Sequence, residues 1–367
     1  MKILFTGGGT CGHLTPAIAM ADAIREATPN AEILFIGRDG GDENKLVLYS
    51  GYDLKTVNIR GLSRVDLLRQ GADAIRSVGS VFEAGRIIRD FRPDLTVGTG
   101  GYVSFPALCY SVITGIPTVI HESNAYPGLV TRLFSKRARL VLLGLEGAGE
   151  HLPRGARTRI VGNPTRAEFD KIDRADARRE LFAIGKIMIL SVGGSGGAKR
   201  INDAAIDLMK GYTAGRRNIL HFHVTGRGYY ESITKTEAEL LKKSQNLKLM
   251  PFIEDMPRHL CAADIVISRS GAMTVSEILR VGCPAILIPS PNVTDDHQMK
   301  NAKEAERLGG AVVLPEAELS GERLIAEVDA LVKSNTHRER IRERMAGAYR
   351  ATSKEELARI ILECARD

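Results

Sequence analysis

The sequence predicts an α/β protein made of two doubly wound parallel-sheet domains in series. Its 367 residues exceed the roughly 250–300 residues that a single hydrophobic core supports. Short apolar runs alternate with helical patterns, which is typical of βαβ units with right-handed crossovers. The alternation restarts at Ile187, again with a glycine-rich turn. Ligands of such sheets bind beyond the carboxyl ends of the strands, so we expect the site in a cleft between the two halves.

The first domain is expected to span residues 1–163. After the strand Lys2–Thr6, a glycine-rich turn leads to a helix from about Pro16 to Ala27. Further strands of this half are predicted at Glu32–Gly37, Asp94–Gly98, Pro117–His121, Arg139–Leu143 and Thr158–Val161. The domain boundary falls at Gly162-Asn163-Pro164, because Gly-Asn-Pro is typical of a turn that can act as a hinge.

The second domain is expected to span residues 164–344. A helix is predicted from about Ile201 to Lys210, and the strands are predicted at Ile187–Val192, Leu220–Thr225, Leu247–Pro251, Ile265–Ser268, Ala285–Pro289 and Ala311–Leu314. The chain is helical in pattern from about Gly321 onward. We expect its last helix, about 345–367, to pack back on the first domain.

Composition excludes several protein classes. The five cysteines are scattered and form no C-x-x-C pair, so neither a disulfide framework nor a zinc site is expected. Leu95–Ile120 lacks charged residues, but glycine and proline interrupt it, which predicts buried strands and a helix rather than a membrane span. The scattered cysteines favour a reducing cytosol, and no secretory signal is visible. The net charge of +7 leaves nucleic acid, an anionic membrane or a phosphorylated ligand open.

Glycine-rich turns follow predicted strands in both halves. Gly7, Gly9 and Gly12 fit the G-x-G-x-x-G pattern, in which backbone N–H groups and a helix N-terminus bind phosphate. The alternative is a tight turn that needs glycine only for its dihedral angles. Similar turns occur at Gly98–Tyr102 and Gly193–Ala198. A dehydrogenase with one nicotinamide cofactor does not need such turns in both halves, so two phosphorylated ligands explain them better.

The second half carries two further polar segments after strands. Ser268–Glu277 starts a helix that Ser270 or Thr274 can cap; either it is only a well-capped helix, or its amides bind a diphosphate while Glu277 accepts hydrogen bonds from ribose hydroxyls. Asp295–Gln298 suits sugar hydroxyls, although a solvated loop explains it more simply. No D-x-D sequence occurs, so we predict a site without metal or other cofactor that relies on helix ends and basic side chains.

Six motifs stand in the order found in one enzyme family. They are the Gly-Gly-Thr-x-Gly-His opening, Gly100–Ser104, His121–Asn124, Gly162–Arg166, Gly193–Ser195 and Ser270–Glu277. Through them nearly the whole chain closely resembles the MurG family of bacterial peptidoglycan N-acetylglucosaminyltransferases. The resemblance implies a GT-B fold, with two Rossmann-like domains facing a cleft. It also implies inverting transfer of N-acetylglucosamine from UDP-N-acetylglucosamine to undecaprenyl-diphospho-N-acetylmuramoyl-pentapeptide, which forms the β-1,4-linked lipid precursor of peptidoglycan.

The resemblance assigns site residues motif by motif. The acceptor side would consist of Gly9, Thr10, Gly100, Gly101 and Tyr102. The donor side would consist of Thr10, Cys11, Gly12, Asn124, Arg166, Ser195, Ile253, Ala272, Met273, Thr274, Val275, Ser276, Glu277 and Gln298. The chain departs from the family pattern at three positions, where Cys11 replaces Gly, Ser123 replaces Gln and His297 replaces Gln.

Two residues are candidates for the base that takes the proton of the acceptor hydroxyl. His13 is the first, because imidazole suits proton transfer at neutral pH; alternatively it only binds phosphate or packs at the helix start. Glu122 is the second; alternatively it is a buried structural carboxylate. The departing UDP gains charge, which donors at the start of the helix that Ser268–Glu277 begins would stabilise.

The resemblance further implies a role in cell shape and cell division, and peripheral attachment to the cytoplasmic face of the cell membrane. No nucleic-acid partner is expected, whereas other cell-wall synthesis proteins are. Lys55–Arg92 contains eight cations and four anions, a net +4, among apolar residues. This pattern suits either an anionic membrane surface or an ordinary helix with solvated charges.

Other functions stay open on the sequence alone. A related glycosyltransferase would use another acceptor. A UDP-N-acetylglucosamine epimerase would share the architecture and the donor, and a non-enzymatic sensor would bind the nucleotide sugar without releasing UDP.

Overall fold

A computed structural model describes residues 1–9, 11–41, 44–60, 67–194, 196–349 and 352–366. For residues 11, 67–76 and 346–347, the description is limited to the backbone. The chain forms two compact units: the first is Met1–Pro164 with Arg350–Asp367, and the second is Thr165–Tyr349. Each unit contains one parallel β-sheet.

The first unit has a seven-stranded sheet in the order β3-β2-β1-β4-β5-β6-β7. Its strands are β1 (Lys2–Thr6), β2 (Glu32–Arg38), β3 (Asp53–Val57), β4 (Leu95–Gly98), β5 (Thr118–Glu122), β6 (Leu140–Leu143) and β7 (Thr158–Ile160). Its helices are α1 (Cys11–Ala27), α2 (Asn44–Tyr49), α3 (Leu67–Phe91), α4 (Phe105–Ile113) and α5 (Leu129–Phe134). Helices cover both sheet faces, because one apolar cluster joins the sheet to α1 and another joins it to α3 and α4.

The second unit has a six-stranded sheet in the order β10-β9-β8-β11-β12-β13. Its strands are β8 (Ile187–Val192), β9 (Ile219–Val224), β10 (Leu247–Met250), β11 (Ile265–Ser268), β12 (Ala285–Leu287) and β13 (Ala311–Val313). Its helices are α6 (Arg174–Glu180), α7 (Lys199–Leu208), α8 (Arg227–Thr236), α9 (Ala238–Lys243), α10 (Met256–Ala262), α11 (Ala272–Val281), α12 (His297–Arg307), α13 (Gly321–Lys333) and α14 (Asn335–Ala348). The predicted fold class of two Rossmann-like parallel-sheet domains is confirmed.

One local prediction is wrong, and one strand was missed. The first helix begins at Cys11 rather than near Pro16, so His13 lies within its first turn and the glycine turn is shorter than expected. The edge strand β3 was not predicted at all. Three of its five residues are polar and only Val57 is buried, so it lacks the continuous apolar run by which buried parallel strands are recognised.

The uncharged stretch 95–120 folds as β4, a short 3₁₀ turn, α4 and the start of β5, as the interruptions by glycine and proline predicted. In the described part of the chain, no helix is both long enough and apolar enough to cross a membrane.

The last helix, α15 (Lys354–Glu363), belongs to the first unit and packs against α1. Leu357, Ile360 and Ile361 are buried in the same apolar cluster as the α1 side chains. Lys354 adds an ion pair with Glu26 at 3.0 Å, and an exposed pair of this kind contributes at most about 1 kcal/mol. Apolar burial therefore holds this helix in place.

A buried polar cluster lies at the centre of the second sheet. The Ser191 hydroxyl on β8 lies 2.8 Å from His221 Nε2 and 2.8 Å from His223 Nδ1, both on β9. Thr213 Oγ1 lies 3.2 Å from His221 Nδ1. Burial lowers the pKa of His221 to about 3 and that of His223 to about 4. Both imidazoles are therefore neutral in the folded protein at neutral pH.

We expect this pair to make the second unit sensitive to acid. Below about pH 6.5 both histidines are protonated in the unfolded chain but not in the native state. The free energy of unfolding therefore decreases as the pH is lowered, until the pH reaches the folded pKa values. From pH 7 to pH 5 the loss is about 2 kcal/mol per histidine. Urea titrations at both pH values measure it. A His221→Gln/His223→Gln variant should show a smaller fall, and an equal fall would contradict the assignment.

Candidate active site

In the first unit, the loops after β1 and β4 meet at the carboxyl edge of the sheet. These neighbouring strands lie where the strand order reverses, which is the usual ligand position in such sheets. Gly101 has φ +74°, and a Cβ there would overlap the Gly8 carbonyl oxygen. A Cβ at Gly7 would likewise overlap the Thr99 hydroxyl. Glycine is therefore needed for the two backbone segments to approach this closely.

His13 lies directly against this pair of loops. A Cβ at Gly100 would lie 3.1 Å from His13 Nδ1, and one at Gly101 would lie 3.0 Å from His13 Cδ2. A Cβ at Gly9 would lie 3.0 Å from the Tyr102 ring. The structure thus brings together five of the predicted site residues of the first half: Gly9, His13, Gly100, Gly101 and Tyr102. Gly12 lies beside them, exposed on the first turn of α1, whereas Thr10 and the Cys11 side chain lie outside the described residues.

Glu122 ends β5 and is only 3% exposed. Its Oε1 accepts hydrogen bonds from the Asn124 amide N–H at 3.0 Å and from Asn124 Nδ2 at 3.1 Å. Its Oε2 accepts from the Gly128 amide at 2.9 Å and from the Thr131 hydroxyl at 2.7 Å. A carboxylate offers about four lone-pair positions, so this one is fully occupied by donors from the following loop and α5.

His121 is a residue of this region to which the sequence assigned no role. It is completely buried on β5, and burial lowers its pKa to about 4, with neighbouring His13 adding to the effect and a backbone contact with Gly162 opposing it. Ser123, which replaces the family's glutamine, places its Oγ 3.4 Å from His121 Nδ1. Asn163 Nδ2 donates to the Ser123 carbonyl at 2.9 Å, which ties the Gly-Asn-Pro segment to this motif.

In the second unit, the corresponding reversal of strand order lies between β8 and β11. Helix α11 starts there, with Gly271 as its N-cap and without a side-chain cap. The predicted capping by Ser270 or Thr274 is wrong, because Ser270 Oγ instead donates to the Gln298 carbonyl at 2.8 Å. The first bond of the helix runs from the Val275 amide to the Gly271 carbonyl. The amides of residues 272–274 are thus not used within the helix.

Glu277 is buried in the second turn of α11, and Arg166 Nε lies 3.3 Å from its Oε1. Burial raises the pKa of the Glu277 carboxyl, while Arg166 and Arg280 oppose the rise. Val275 and Ser276 are fully buried, and Ile253 is buried between β10 and α10. Ser195 lies outside the described residues, in the turn between β8 and α7.

The segment around Gln298 is more ordered than a solvated loop. Asp295 and Asp296 both have φ +52°, and α12 begins at His297, so Gln298 lies on the first helical turn. Gln298 Oε1 accepts a hydrogen bond from the Ser290 amide at 2.9 Å. Its backbone also accepts from Ser270, so this segment and the start of α11 are joined within the same edge of the second sheet.

Among the described residues, no group of three or more His, Cys, Asp and Glu side chains is arranged to hold a metal ion. The expectation that the site needs no metal stays a prediction.

The comparisons with known proteins give the family. The model of the glycosyltransferase family 28 N-terminal domain matches residues 3–143, and that of the C-terminal domain matches residues 188–359. The chain belongs to glycosyltransferase family 28. The three glycine-rich turns and the α11 motif fall within these two family 28 domains.

Relatives with a more specific name cover almost the whole chain. The UDP-N-acetylglucosamine–N-acetylmuramyl-(pentapeptide) pyrophosphoryl-undecaprenol N-acetylglucosamine transferase of Acetivibrio thermocellus is 39% identical over 91% of this chain and 90% of its own. The enzyme of the same name from Caldanaerobacter subterraneus is 35% identical over 98% and 99%. The crystal structure of Acinetobacter baumannii MurG superposes with a TM-score of 0.79 at 24% identity, over 99% of each chain. At that identity the superposition shows the fold alone, and it confirms the predicted GT-B class for this family 28 member.

Proposed function

We propose that this chain transfers N-acetylglucosamine from UDP-N-acetylglucosamine to N-acetylmuramyl-(pentapeptide) pyrophosphoryl-undecaprenol. The observation that carries the proposal is the 39% identity over 91% of the chain with a transferase of that name. The fold of each unit supports it, because each sheet has a glycine-rich turn and a ligand position where its strand order reverses. The first unit would bind the acceptor and, through residues such as Asn124, the sugar of the donor, and the second unit would bind the UDP of the donor.

The reaction requires a base and a stabilised leaving group. In the proposed inverting step, the acceptor hydroxyl attacks the anomeric carbon of the donor while its proton passes to a base, and UDP departs with the bonding electron pair. The transition state has oxocarbenium-ion character, as in glycoside hydrolysis. Amides at the start of α11 that no helical bond uses would stabilise the growing charge on the diphosphate.

His13 is the better candidate for the base. Its ring lies against the Gly100-Gly101 segment proposed to hold the acceptor diphosphate. Glu122, by contrast, already accepts four hydrogen bonds and is buried, so no lone pair is left to take a proton. We propose that Glu122 acts as a positioning residue that orients Asn124.

Glu277 is proposed to accept hydrogen bonds from the donor ribose. We expect Glu277→Gln to raise KM for the donor by about 10- to 100-fold, because a hydrogen bond to a charged group contributes about 1.5–3 kcal/mol. Since this binding is similar in ground and transition states, kcat should change little. Steady-state kinetics with the exposed control Glu318→Gln measures both constants. A loss confined to kcat would contradict the assignment.

A transfer assay tests the proposed function as a whole. The purified chain is incubated with radiolabelled UDP-N-acetylglucosamine and a short-chain version of the lipid acceptor, and lipid is then separated from nucleotide. We expect label in the lipid fraction and UDP release only with acceptor present. An altered free sugar formed without acceptor would indicate an epimerase. Donor binding without UDP release would indicate a sensor, and label transfer only to another acceptor would indicate a related transferase.

We also propose that the chain attaches peripherally to the cytoplasmic face of the inner membrane, through the side of the first unit formed by α3, α4 and α5. Helix α4 packs against both of the others. Val78 and Phe82 on α3 are 59% and 69% exposed, and Leu129 and Leu133 on α5 are 62% and 51% exposed. Exposed cations follow both pairs, at Arg86, Arg89, Lys136 and Arg137. Apolar side chains flanked by cations suit an anionic lipid surface.

Of the basic residues in 55–92, Arg64 lies outside the described residues, and Arg69 and Arg76 are described only by their backbone. Val78→Ser/Phe82→Ser therefore gives the sharper test of membrane binding. We expect about tenfold weaker co-sedimentation with vesicles rich in phosphatidylglycerol, because burial of apolar side chains is lost. Phe182→Ser/Ile184→Ser is the matched control, since these residues of the second unit are 80% and 64% exposed. Equal weakening in both variants would contradict the assigned surface.

A further inference from the structure

A ligand-sized cavity lies on the second unit, away from the start of α11. It has a volume of about 320 Å³, at the lower end of the range of about 300–1,000 Å³ typical of ligand pockets. Ala285 and Ala311, the first residues of β12 and β13, form part of its lining. It therefore lies at the amino-terminal edge of the sheet, whereas α11 and Gln298 follow the carboxyl ends of the strands. Nothing in the proposed transfer reaction uses it.

One wall of this cavity is basic. Helix α14 contributes His337, Arg340 and Arg344, whose spacing of three and four residues places them on one helix face. The lining contains no aspartate or glutamate. Within the ranges that the structure describes, neither Arg340 nor Arg344 makes an ion pair or hydrogen bond. Two guanidinium groups thus keep their donors available to a ligand.

Glycine creates the space for one of these side chains. Gly309 has φ +75°, and a Cβ there would lie 3.3 Å from Arg344 Cδ and 3.4 Å from its Nη1. The arginine therefore lies across the bare backbone of the turn before β13. Val312, Leu331 and Ile341 also line the cavity, and their apolar side chains lower the local dielectric and strengthen an ionic contact.

At the same edge of the sheet, positive side chains also outnumber negative ones around Asp264. Asp264, directly before β11, is approached by Arg174 at 2.6 Å, by Arg178 at 2.8 Å and by Arg342 at 3.7 Å. One carboxylate thus faces three guanidinium groups. Arg338 on α14 adds a fourth cation that is only 6% exposed. Glu339 and Glu343 on the same helix are exposed and do not line the cavity, so no carboxylate of the lining offsets Arg340 and Arg344.

We propose that this cavity binds a phosphorylated anion, with Arg340 and Arg344 as its principal ligands. Guanidinium groups present paired N–H donors that match the oxygens of a phosphoryl group, and His337 at the same wall can donate a further hydrogen bond. The anion is either a free polyphosphate or the phosphate of a lipid headgroup. The proposal does not depend on the transfer reaction, because it concerns the opposite edge of the sheet.

Hydrogen–deuterium exchange of the intact chain tests the site locally. Peptides that cover 335–345 are followed as inorganic pyrophosphate is titrated, and separately with phosphatidylglycerol or phosphatidylcholine vesicles. We expect the bound ligand to slow exchange in these peptides. In Arg340→Gln/Arg344→Gln, protection should require at least a tenfold higher ligand concentration, because two charge-assisted hydrogen bonds are lost. Lys235→Gln/Lys242→Gln removes the same charge from exposed positions on α8 and α9 and should behave as wild type.

Two results support the site and identify its ligand. Protection by pyrophosphate indicates a soluble phosphorylated ligand, and protection by phosphatidylglycerol vesicles alone indicates a headgroup. Absence of protection with all three probes overturns the proposal. It is also overturned if protection persists in the Arg340/Arg344 variant, or falls equally in the lysine control. Both arginines are exposed, and an unchanged Tm of each variant shows that it is folded.

Discussion

His13→Ala should lower kcat of sugar transfer by about 10²- to 10⁴-fold, the usual contribution of a positioned general base. The imidazole lies against the Gly100-Gly101 backbone, so its loss leaves a gap beside the acceptor loop and removes the proton acceptor. Donor affinity should stay unchanged, because the residues proposed to bind UDP belong to the second unit. Single-turnover transfer and a separate donor-binding titration distinguish the two effects.

The matched control for this variant is His151→Ala. His151 is exposed in the same unit, and its ring lies 4.8 Å from that of Tyr126. It should retain wild-type kcat. A His13→Ala enzyme with kcat within about threefold of wild type would remove the base assignment, since so small a change is far below the general-base contribution.

Glu122→Gln should act mainly on stability. The four donors around the carboxylate come from Asn124, Gly128 and Thr131, and the glutamine amide nitrogen cannot accept from those that face it. A buried donor left without a partner costs about 1–3 kcal/mol, so the free energy of unfolding should fall by about 2–4 kcal/mol. Urea denaturation measures this, with the exposed Glu150→Gln as the control.

The same variant separates a positioning role from a catalytic one. If Glu122 orients Asn124, the folded Glu122→Gln enzyme should show a raised KM for the donor and a smaller change in kcat. If the variant is as stable as wild type but loses a hundredfold or more in kcat, then Glu122 is the base and the positioning assignment is wrong.

The two parallel sheets follow directly from the residue pattern. Apolar runs such as Lys2–Thr6 and Ile187–Val192 became the strands β1 and β8 with unchanged bounds, because strands buried on both faces must be apolar throughout. The glycine positions were informative for a similarly local reason: only glycine permits φ near +75° together with the close approach seen at Gly101. The residue pattern failed to predict β3, because three of the five residues of this edge strand are exposed and polar.

What the sequence alone determined about this protein is therefore its fold class and the motifs at the sheet edges, since both depend on residue type along the chain. The tertiary structure decided how the polar atoms are paired. It occupies every lone pair of Glu122 and places His13 against the acceptor loop. It also ties Ser270 to Gln298 instead of to its own helix. Among the described residues, it leaves Arg340 and Arg344 without a hydrogen-bond or ion-pair partner. These pairings join residues that are distant along the chain, so they depend on packing in three dimensions and carry no local signal.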